Sequence, residues 1–242
     1  PLRSEEAKNR VKGEGLKEVP YTGNKGYKLA DVYNKKTDMD TFVAQLTDDE
    51  LIYLHRGEGM CSMKVTPGTA AAFGGLTESL KEYGIPALCA SDGPSGIRMD
   101  CGTAAFSLPN GAVLGSTFDV ELVQALYEMT SRELRQNRID TLLGPGMNIH
   151  RSPLNGRNFE YYSEDPLLTG KIATAQLKGL HTFDACGTVK HYATNNQETN
   201  RYEVNAVVSQ RALREIYLKG FEIAVKEGKC RSVMTTYGPL NG

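Results

Sequence analysis

Short apolar segments alternate with amphipathic helical patterns along most of the chain, and this alternation restricts the fold more than any other feature. Four segments have the length and composition of buried strands, and a polar or glycine-rich cluster follows each one. Helical patterns lie between them. The predicted strands are Ile85–Ser91, Thr141–Leu143, Gly187–Ala193 and Ser232–Tyr237. Strands joined through helices predict a parallel sheet of βα units and therefore an α/β fold.

Local sequence signals place the helices. Thr47 and Glu50 form a capping-box sequence, which predicts a helix that ends at Gly57. The Asp165-Pro166 pair predicts a further helix start. Besides the four strands, Ala112–Ser116 is a candidate for a fifth strand. A helix after Asp119 is expected to carry Leu122, Ala125, Leu126 and Met129 on one face. A helix capped by Ser209 is expected to turn Leu213, Ile216, Tyr217, Phe221 and Ala224 inward.

Charge and composition exclude several classes of protein. The net charge of −1 argues against a polybasic nucleic-acid surface or an anionic-membrane surface. No apolar run approaches the roughly 20 residues of a membrane-spanning helix. The five cysteines are odd in number, and neither they nor the four histidines show metal-ligand spacing. We therefore expect no metal, no cofactor, no nucleic-acid partner and no membrane partner, and reduced thiols fit a cytoplasmic protein.

Charged and amide side chains follow the predicted strands, where the loops of a barrel carry active sites. Carboxylates that accept, with Lys, Arg and His groups that donate, suit a neutral ligand rich in hydroxyls. Asp92 could instead cap the turn at Gly93, and Arg157 could form only a structural ion pair with Glu160. Lys190 and His191 follow an apolar strand directly, which favours a functional role. Arg201 fits a cleft or a solvated surface. Trp is absent, so the candidates for stacking on a sugar are Tyr161, Tyr162, Tyr192 and Tyr237.

Five segments in a fixed order resemble one enzyme family. The longest runs from Leu143 to Pro166 and reads LGPGMNIHRSPLNGRNFEYYSEDP. The others begin at Asp92 (DGPSGIR), Lys190 (KHYATNNQETNR), Ser209 (SQRALREIYL) and Val233 (VMTTY). Together they resemble the β-glucosidases of glycoside hydrolase family 3. The family resemblance implies a retaining hydrolase of terminal non-reducing β-D-glucosyl residues, active in polysaccharide degradation and carbohydrate metabolism.

The same resemblance implies roles for individual residues. Asp92 matches a residue that clamps hydroxyls at the far end of the glucose ring in the −1 subsite. Arg157, Lys190 and His191 resemble further hydroxyl ligands of that subsite. Arg201 and Met234 match positions that line or support the pocket, and Tyr237 resembles the tyrosine beside the catalytic nucleophile. The substrate-binding set is therefore Asp92, Arg157, Lys190, His191, Arg201, Met234 and Tyr237.

Neither catalytic carboxylate of the family has a match among these residues. The family's nucleophile lies in a Ser/Thr-Asp-Trp motif, and its acid/base glutamate lies in another domain. We therefore expect no catalytic residue in this chain, and we expect the isolated chain to be inactive. The predicted fold is a (β/α)8 TIM-like barrel that is incomplete here, over residues 37–242, preceded by a linker or strap over residues 1–36. The expected partners are a β-glucoside or cello-oligosaccharide and the rest of the parent enzyme.

Two alternatives share these features. The parent could be a β-xylosidase, an arabinofuranosidase or an exo-glucanase of the same family, because such enzymes share many of the loop residues. The chain could also be a non-catalytic sugar-binding subunit. A secreted parent enzyme is an alternative to the cytoplasmic location.

Overall fold

The computed structural model describes residues 18–242. The first 17 residues of the predicted linker lie outside the described part of the chain. The chain divides into two compact units, and the division falls between Cys89 and Ala90, within strand β2 (Ala87–Asp92).

The N-terminal unit holds short helices and a small aromatic core. Phe42, Leu46 and Tyr83 are buried together, and the rings of Phe42 and Tyr83 meet edge to face with centroids 6.3 Å apart. The Thr47 hydroxyl accepts the Glu50 N–H while the Glu50 carboxylate accepts the Thr47 N–H, so the predicted capping box is confirmed. The elements are α1 (Leu29–Tyr33), α2 (Met39–Val43), α3 (Asp48–Arg56), β1 (Ala71–Gly74), α4 (Glu78–Glu82) and the first half of β2.

The C-terminal unit contains a parallel sheet whose strands alternate with helices. The second half of β2 is followed by β3, β4 and β5, which lie in chain order and pair in parallel. Thr141 on β3 lies beside both Ala90 and Cys186. The predicted parallel α/β sheet is therefore confirmed. The elements are α5 (Gly111–Thr117), α6 (Val120–Gln136), β3 (Thr141–Leu143), a 3-10 turn (Asn158–Glu160), α7 (Pro166–His181), β4 (Cys186–Tyr192), α8 (Gln210–Ala212), a π-helical turn (Leu213–Tyr217), α9 (Lys219–Lys226) and β5 (Ser232–Thr235).

The candidate fifth strand over Ala112–Ser116 is wrong, because this segment is helix α5. Asn110 caps the helix by accepting the N–H of Val113. Gly111 and Gly115 lie one helical turn apart and face backbone. A Cβ on Gly111 would lie 2.2 Å from the Glu160 carbonyl oxygen. A Cβ on Gly115 would lie 2.4 Å from the Tyr162 carbonyl oxygen. The glycines therefore let α5 touch the segment that follows β3.

The apolar face predicted for α6 is not the face that the helix buries. Leu122 and Met129 are 44 % and 58 % exposed, whereas the buried residues are Val123, Tyr127, Thr130, Ser131 and Leu134. The contact with α7 uses small polar groups, and the Ser131 hydroxyl donates to the Leu180 carbonyl at 2.5 Å. A count of apolar residues overlooks such a face, because Thr and Ser look polar in the sequence. They can be buried when a partner accepts the hydroxyl proton, and that partner is seen only in the fold.

The helix capped by Ser209 begins as predicted, since the Ser209 hydroxyl accepts the Ala212 N–H. It then passes through the π-helical turn before α9. Because a π turn holds more residues than an α turn, side chains inside the turn, Ile216 among them, are displaced from an α-helical stripe. Tyr217, Phe221 and Ala224 are buried as predicted, but Ile216 is 39 % exposed.

Helices α6 and α7 pack so closely at Gly179 that a side chain cannot fit. A Cβ there would lie 2.4 Å from the Gln124 carbonyl oxygen and 2.9 Å from the Tyr127 Cβ. We expect Gly179→Ala to lower the free energy of unfolding by about 1–3 kcal/mol, the usual cost of overpacking. Urea denaturation monitored by circular dichroism measures the change. Gly59→Ala is the control, because a Cβ there meets nothing within 4 Å. Equal stability of the two variants would contradict the close packing.

Candidate functional site

A cavity of about 290 Å³ opens where β2 and β4 end at their carboxyl edges. Three of the predicted site residues line it, each from a different segment. Asp92 is the last residue of β2, Lys190 lies near the end of β4, and Arg157 precedes the 3-10 turn after β3. The other lining residues are Gly93, Pro94, Ser95, Gly96, Phe159 and Glu160.

An ion pair joins two sides of this cavity. The Lys190 Nζ lies 2.9 Å from the Asp92 Oδ1, and Lys190 is only 3 % exposed. The Gly93 N–H donates to the same carboxylate oxygen at 2.9 Å, so Asp92 also caps the turn. Burial raises the pKa of the Asp92 carboxyl, but attraction to Lys190 and the hydrogen bonds from Lys190 and Gly93 outweigh it and lower the pKa. Asp92 is therefore a carboxylate at neutral pH and can accept hydroxyl protons.

Arg157 lines the cavity and forms a second ion pair. Its Nε donates to the Glu160 Oε1, and Glu160 is 5 % exposed. The structural ion pair considered for these two residues is therefore present. The Arg157 Nη1 also lies 4.0 Å from the Glu198 Oε1, which leaves Glu160 and Glu198 on two sides of one guanidinium. A guanidinium held in this way presents its remaining N–H groups in a fixed direction.

His191 is buried and follows Lys190 on β4. Its Nδ1 lies 3.0 Å from the Asn148 Oδ1 and 3.3 Å from the Tyr161 hydroxyl. Burial, together with the positive charges of Arg157 and Lys190, lowers the pKa of the imidazole to about 3. His191 is therefore neutral near pH 7.

Arg201 and Tyr237 form a contact at the exposed rim. The Arg201 Nη1 lies 3.0 Å from the Glu198 Oε2. Its guanidinium carbon lies 4.8 Å from the centre of the Tyr237 ring and 5.2 Å from that of Tyr202. Tyr237 is 58 % exposed. Glu198 thus links this rim to Arg157 in the cavity wall.

Met234 is placed by strand pairing. It lies on β5, and its Cα is the register partner of Lys190 on β4. A β-bulge follows on β4 between Lys190 and Tyr192, and the peptide bonds Lys190–His191 and Tyr192–Ala193 are cis. The structure thus gathers the predicted residues at one end of the sheet, with Asp92, Arg157 and Lys190 in the cavity itself.

Two of the aromatic candidates for stacking on a sugar do not offer a free ring face. Tyr161 and Tyr162 are 0 % and 4 % exposed, and the Tyr162 hydroxyl donates to Gln176. Phe159, which sequence reasoning missed, lines the cavity and is 56 % exposed. Phe159 lies between Arg157 and Glu160 in the sequence. An apolar residue between two residues of opposite charge is the signal that could have identified it.

Sequence reasoning also missed Asn148, which is 1 % exposed and contacts His191. It lies in the Gly144–His150 loop after β3, a loop already marked by its polar and glycine residues. Among residues 18–242, no group of three or more His, Cys, Asp or Glu side chains is arranged to hold a metal ion. No helix in that range is long and apolar enough to cross a membrane.

Comparison with known proteins gives consistent matches. Residues 24–242 match the family model described as the glycosyl hydrolase family 3 N terminal domain. A β-glucosidase of Ruminococcus albus is 62 % identical over 225 residues, which cover 93 % of this chain and 24 % of that protein. β-Glucosidase A of Butyrivibrio fibrisolvens is 37 % identical over 217 residues, which cover 89 % of this chain and 25 % of that protein. The chain thus spans about a quarter of the length of these relatives.

Solved structures agree with the sequence matches. A β-glucosidase from Paenibacillus barengoltzii superimposes with a TM-score of 0.94 at 59 % identity, and the match covers 100 % of this chain and 26 % of that one. β-Glucosidase 3B of Thermotoga neapolitana, solved in complex with glucose, gives a TM-score of 0.78 at 41 % identity over 84 % of this chain and 30 % of that one.

The Asp92–Lys190 pair predicts a specific pH dependence. Because the pKa of Asp92 is lower in the folded chain than its unfolded value of about 3.9, the pair stabilises the fold above that pH. This contribution is lost as the pH falls through the folded-state pKa. We expect Lys190→Met to raise the pKa of Asp92 above its ordinary value, because burial then acts without the ammonium group. A ¹³C NMR titration of the carboxyl carbon measures it.

Lys226→Met is the matched control for this titration. Lys226 pairs with Glu222 on the surface of α9, so its loss leaves the pKa of Asp92 unchanged. A pKa of Asp92 that stays low in Lys190→Met would mean that the Gly93 N–H, rather than Lys190, holds the carboxylate ionised.

Proposed function

The chain belongs to glycosyl hydrolase family 3, and from this membership we propose that it forms most of the −1 sugar subsite of a retaining β-glucosidase. The parent enzyme hydrolyses terminal non-reducing β-D-glucosyl residues of β-glucosides and cello-oligosaccharides. The observation that carries the proposal is the paired Asp92 and Lys190 in one cavity with Arg157. The names of the relatives, and the glucose in the Thermotoga neapolitana structure, support it.

The chemistry of the cavity fits a glucose ring. Asp92 is an ionised acceptor whose Oδ2 accepts no hydrogen bond from residues 18–242. Lys190 and Arg157 are charged donors within the same wall. Adjacent sugar hydroxyls each carry one donor and two acceptor positions, so alternating protein acceptors and donors satisfy them in one orientation only. Such contacts fix the ring, and the contact to the Asp92 carboxylate strengthens as positive charge develops on the ring in the transition state.

Arg201, Met234 and Tyr237 border this subsite in our proposal. Arg201 is held by Glu198 and by the ring of Tyr237, so its guanidinium is oriented before a sugar enters. Tyr237 is exposed, which leaves its hydroxyl accessible to the sugar or to a neighbouring carboxylate. Met234 supports Lys190 from the adjacent strand.

We place both catalytic carboxyl groups of the parent enzyme outside this chain. Retaining hydrolysis needs a nucleophile and an acid/base about 5–5.5 Å apart. The carboxylates around the cavity already have cationic partners: Asp92 pairs with Lys190, Glu160 with Arg157 and Glu198 with Arg201. A carboxylate held by a cation is a poor nucleophile and a poor acid, because the ion pair stabilises its charged form. This chain therefore binds the sugar, and the remainder of the enzyme supplies the covalent chemistry.

For the fold, we propose a TIM-like (β/α)8 barrel of which residues 37–242 form part, with residues 1–36 as a linker or strap. The support is the strand order, because β2 to β5 follow chain order in parallel as barrel strands do. The cavity lies at the carboxyl ends of the strands, where barrel enzymes carry their sites. The five cysteines form no disulfide bridge among residues 18–242, which supports a reducing, cytoplasmic location in our proposal.

The first test removes the charge of Asp92. In the parent enzyme we expect Asp92→Asn to lower kcat/KM for p-nitrophenyl β-glucoside by roughly 10²–10³-fold, because charge-assisted bonds to two hydroxyls are lost. Glu222→Gln on the α9 surface is the control and keeps wild-type turnover. Unchanged kcat/KM in Asp92→Asn would overturn the assignment of this cavity.

A second test addresses the substrate and the division of labour. We expect the parent enzyme to hydrolyse p-nitrophenyl β-glucoside faster than the β-xyloside, which lacks the exocyclic hydroxymethyl group. We expect the 242-residue chain to release no p-nitrophenol under the same conditions, with circular dichroism to report its folding. A preference for xyloside would favour the β-xylosidase alternative, and turnover by the 242-residue chain would contradict the placement of the catalytic carboxylates.

A further inference from the structure

Both polar atoms of the Asn148 side chain form hydrogen bonds with the backbone at the end of strand β4. Its Oδ1 accepts the backbone N–H of His191 at 2.8 Å, and its Nδ2 donates to the carbonyls of His191 at 2.8 Å and Ala193 at 3.2 Å. The side chain is buried, and the two carbonyls can only accept. The amide orientation is therefore fixed, because a flip of the amide would place the nitrogen against the His191 N–H and the oxygen against the two carbonyls.

This fixed amide determines which nitrogen of the His191 ring carries the proton. The Asn148 Oδ1 lies 3.0 Å from the His191 Nδ1, and Oδ1 has no proton to give. Two acceptors at that distance would repel each other. The ring is neutral, so it carries one proton. That proton is therefore on Nδ1, donated to Asn148, and the Nε2 holds a lone pair.

The opposite arrangement has a candidate partner as well. The Tyr161 hydroxyl lies 3.3 Å from the same Nδ1 and could donate to it if the ring proton were on Nε2. The bond to Asn148 is shorter, and Asn195 donates to the Tyr161 oxygen at 2.8 Å, as expected for a hydroxyl that serves as an acceptor. The surroundings of the ring thus favour the Nδ1–H form over the Nε2–H form.

We propose that Asn148 is a positioning residue that holds His191 in its Nδ1–H form, so that the Nε2 accepts a proton from a sugar hydroxyl instead of donating to it. The Nε2 makes no hydrogen bond within residues 18–242. The charged groups that act on the ring are Arg157, Lys190, Asp92 and Arg201, the residues of the proposed subsite. The part of this inference that concerns sugar rests on the proposed function.

At the position that the His191 Nε2 contacts, the site should therefore select a ligand hydroxyl over a ligand group that can only accept a hydrogen bond, such as fluorine. Lys190 and Arg157 can donate to any oxygen or fluorine at their positions, whereas an Nε2 lone pair requires a proton on the ligand. This direction is opposite to the donor role that the sequence suggests for histidine. A site that must receive a proton rejects an analogue without one, because the buried acceptor is then left unpaired.

The tautomer can be measured without any ligand. NMR of the parent enzyme with ¹⁵N-labelled histidine distinguishes the protonated from the unprotonated ring nitrogen, and His191→Gln identifies the signals of His191. We expect the proton on Nδ1. A proton on Nε2 in the wild-type enzyme overturns the proposal, whatever the enzyme hydrolyses. Asn148→Leu keeps the approximate volume but removes the acceptor, so the proton should move to Nε2 and Nδ1 should accept from Tyr161.

The ligand half of the proposal is tested with glucoside analogues that lack one hydroxyl at a time, replaced by hydrogen or by fluorine. The position that His191 contacts is the one where replacement weakens binding to wild type but not to His191→Ala. At that position we expect fluorine and hydrogen to weaken binding equally, by about tenfold, because neither supplies a proton. Isothermal titration calorimetry measures the dissociation constants.

The variants separate positioning from mere structural support. In Asn148→Leu, where the Nε2 carries the proton, the fluoro analogue should bind more tightly than the deoxy analogue. Asn137→Ala is the control, because it removes a side-chain bond to the Glu133 carbonyl at the end of α6 and leaves both readouts unchanged. If wild type keeps affinity for the fluoro analogue while losing it for the deoxy analogue, His191 is a donor and the proposal is wrong. If no analogue or glucoside binds, the proposed function fails while the tautomer result still stands.

Discussion

The buried ammonium of Lys190 is the constraint on which the rest of the site depends. A charge that is almost fully removed from water is costly unless a fixed counter-charge lies within bonding distance. Asp92 provides that counter-charge, although β3 lies between the two strands that carry the pair. The strands must therefore end at the same level for the pair to form. The polar cluster and its cavity lie at that level, and Met234 on β5 is the register partner of Lys190 there.

Charge alternates through the site beyond this pair. Glu160 and Glu198 flank Arg157, and Glu198 also holds Arg201. Each cation thus has an anion on at least one side, and the pairs fix their side chains before any ligand arrives. A neutral, hydroxyl-rich ligand suits such a surface, because it can bond to both signs without adding a net charge that the buried pairs would have to balance.

Sequence reasoning located the strands and the charged residues at their ends, because buried strands and the polar residues after them are both local signals. It failed where the determining contact was distant or small. Asn148 and His191 are 43 positions apart, and only the folded chain brings the amide to the ring. The buried face of α6 was missed because Thr130 and Ser131 replace apolar residues there. The apolar residues of the segment 112–116 suggest a candidate strand, although Asn110 and the four-residue spacing of Gly111 and Gly115 indicate a helix.

Those two glycines give α5 an influence on a cavity to which it contributes no residue. The backbone of α5 contacts the carbonyl groups of Glu160 and Tyr162 directly at these glycines, so no side chain lies between the helix and this part of the segment that carries Arg157. The position of α5 therefore constrains the backbone of Glu160, the residue that pairs with Arg157. The shape of the cavity therefore depends on where this helix lies as well as on the residues that line it, so a substitution that moves α5 can alter the cavity while its lining stays the same.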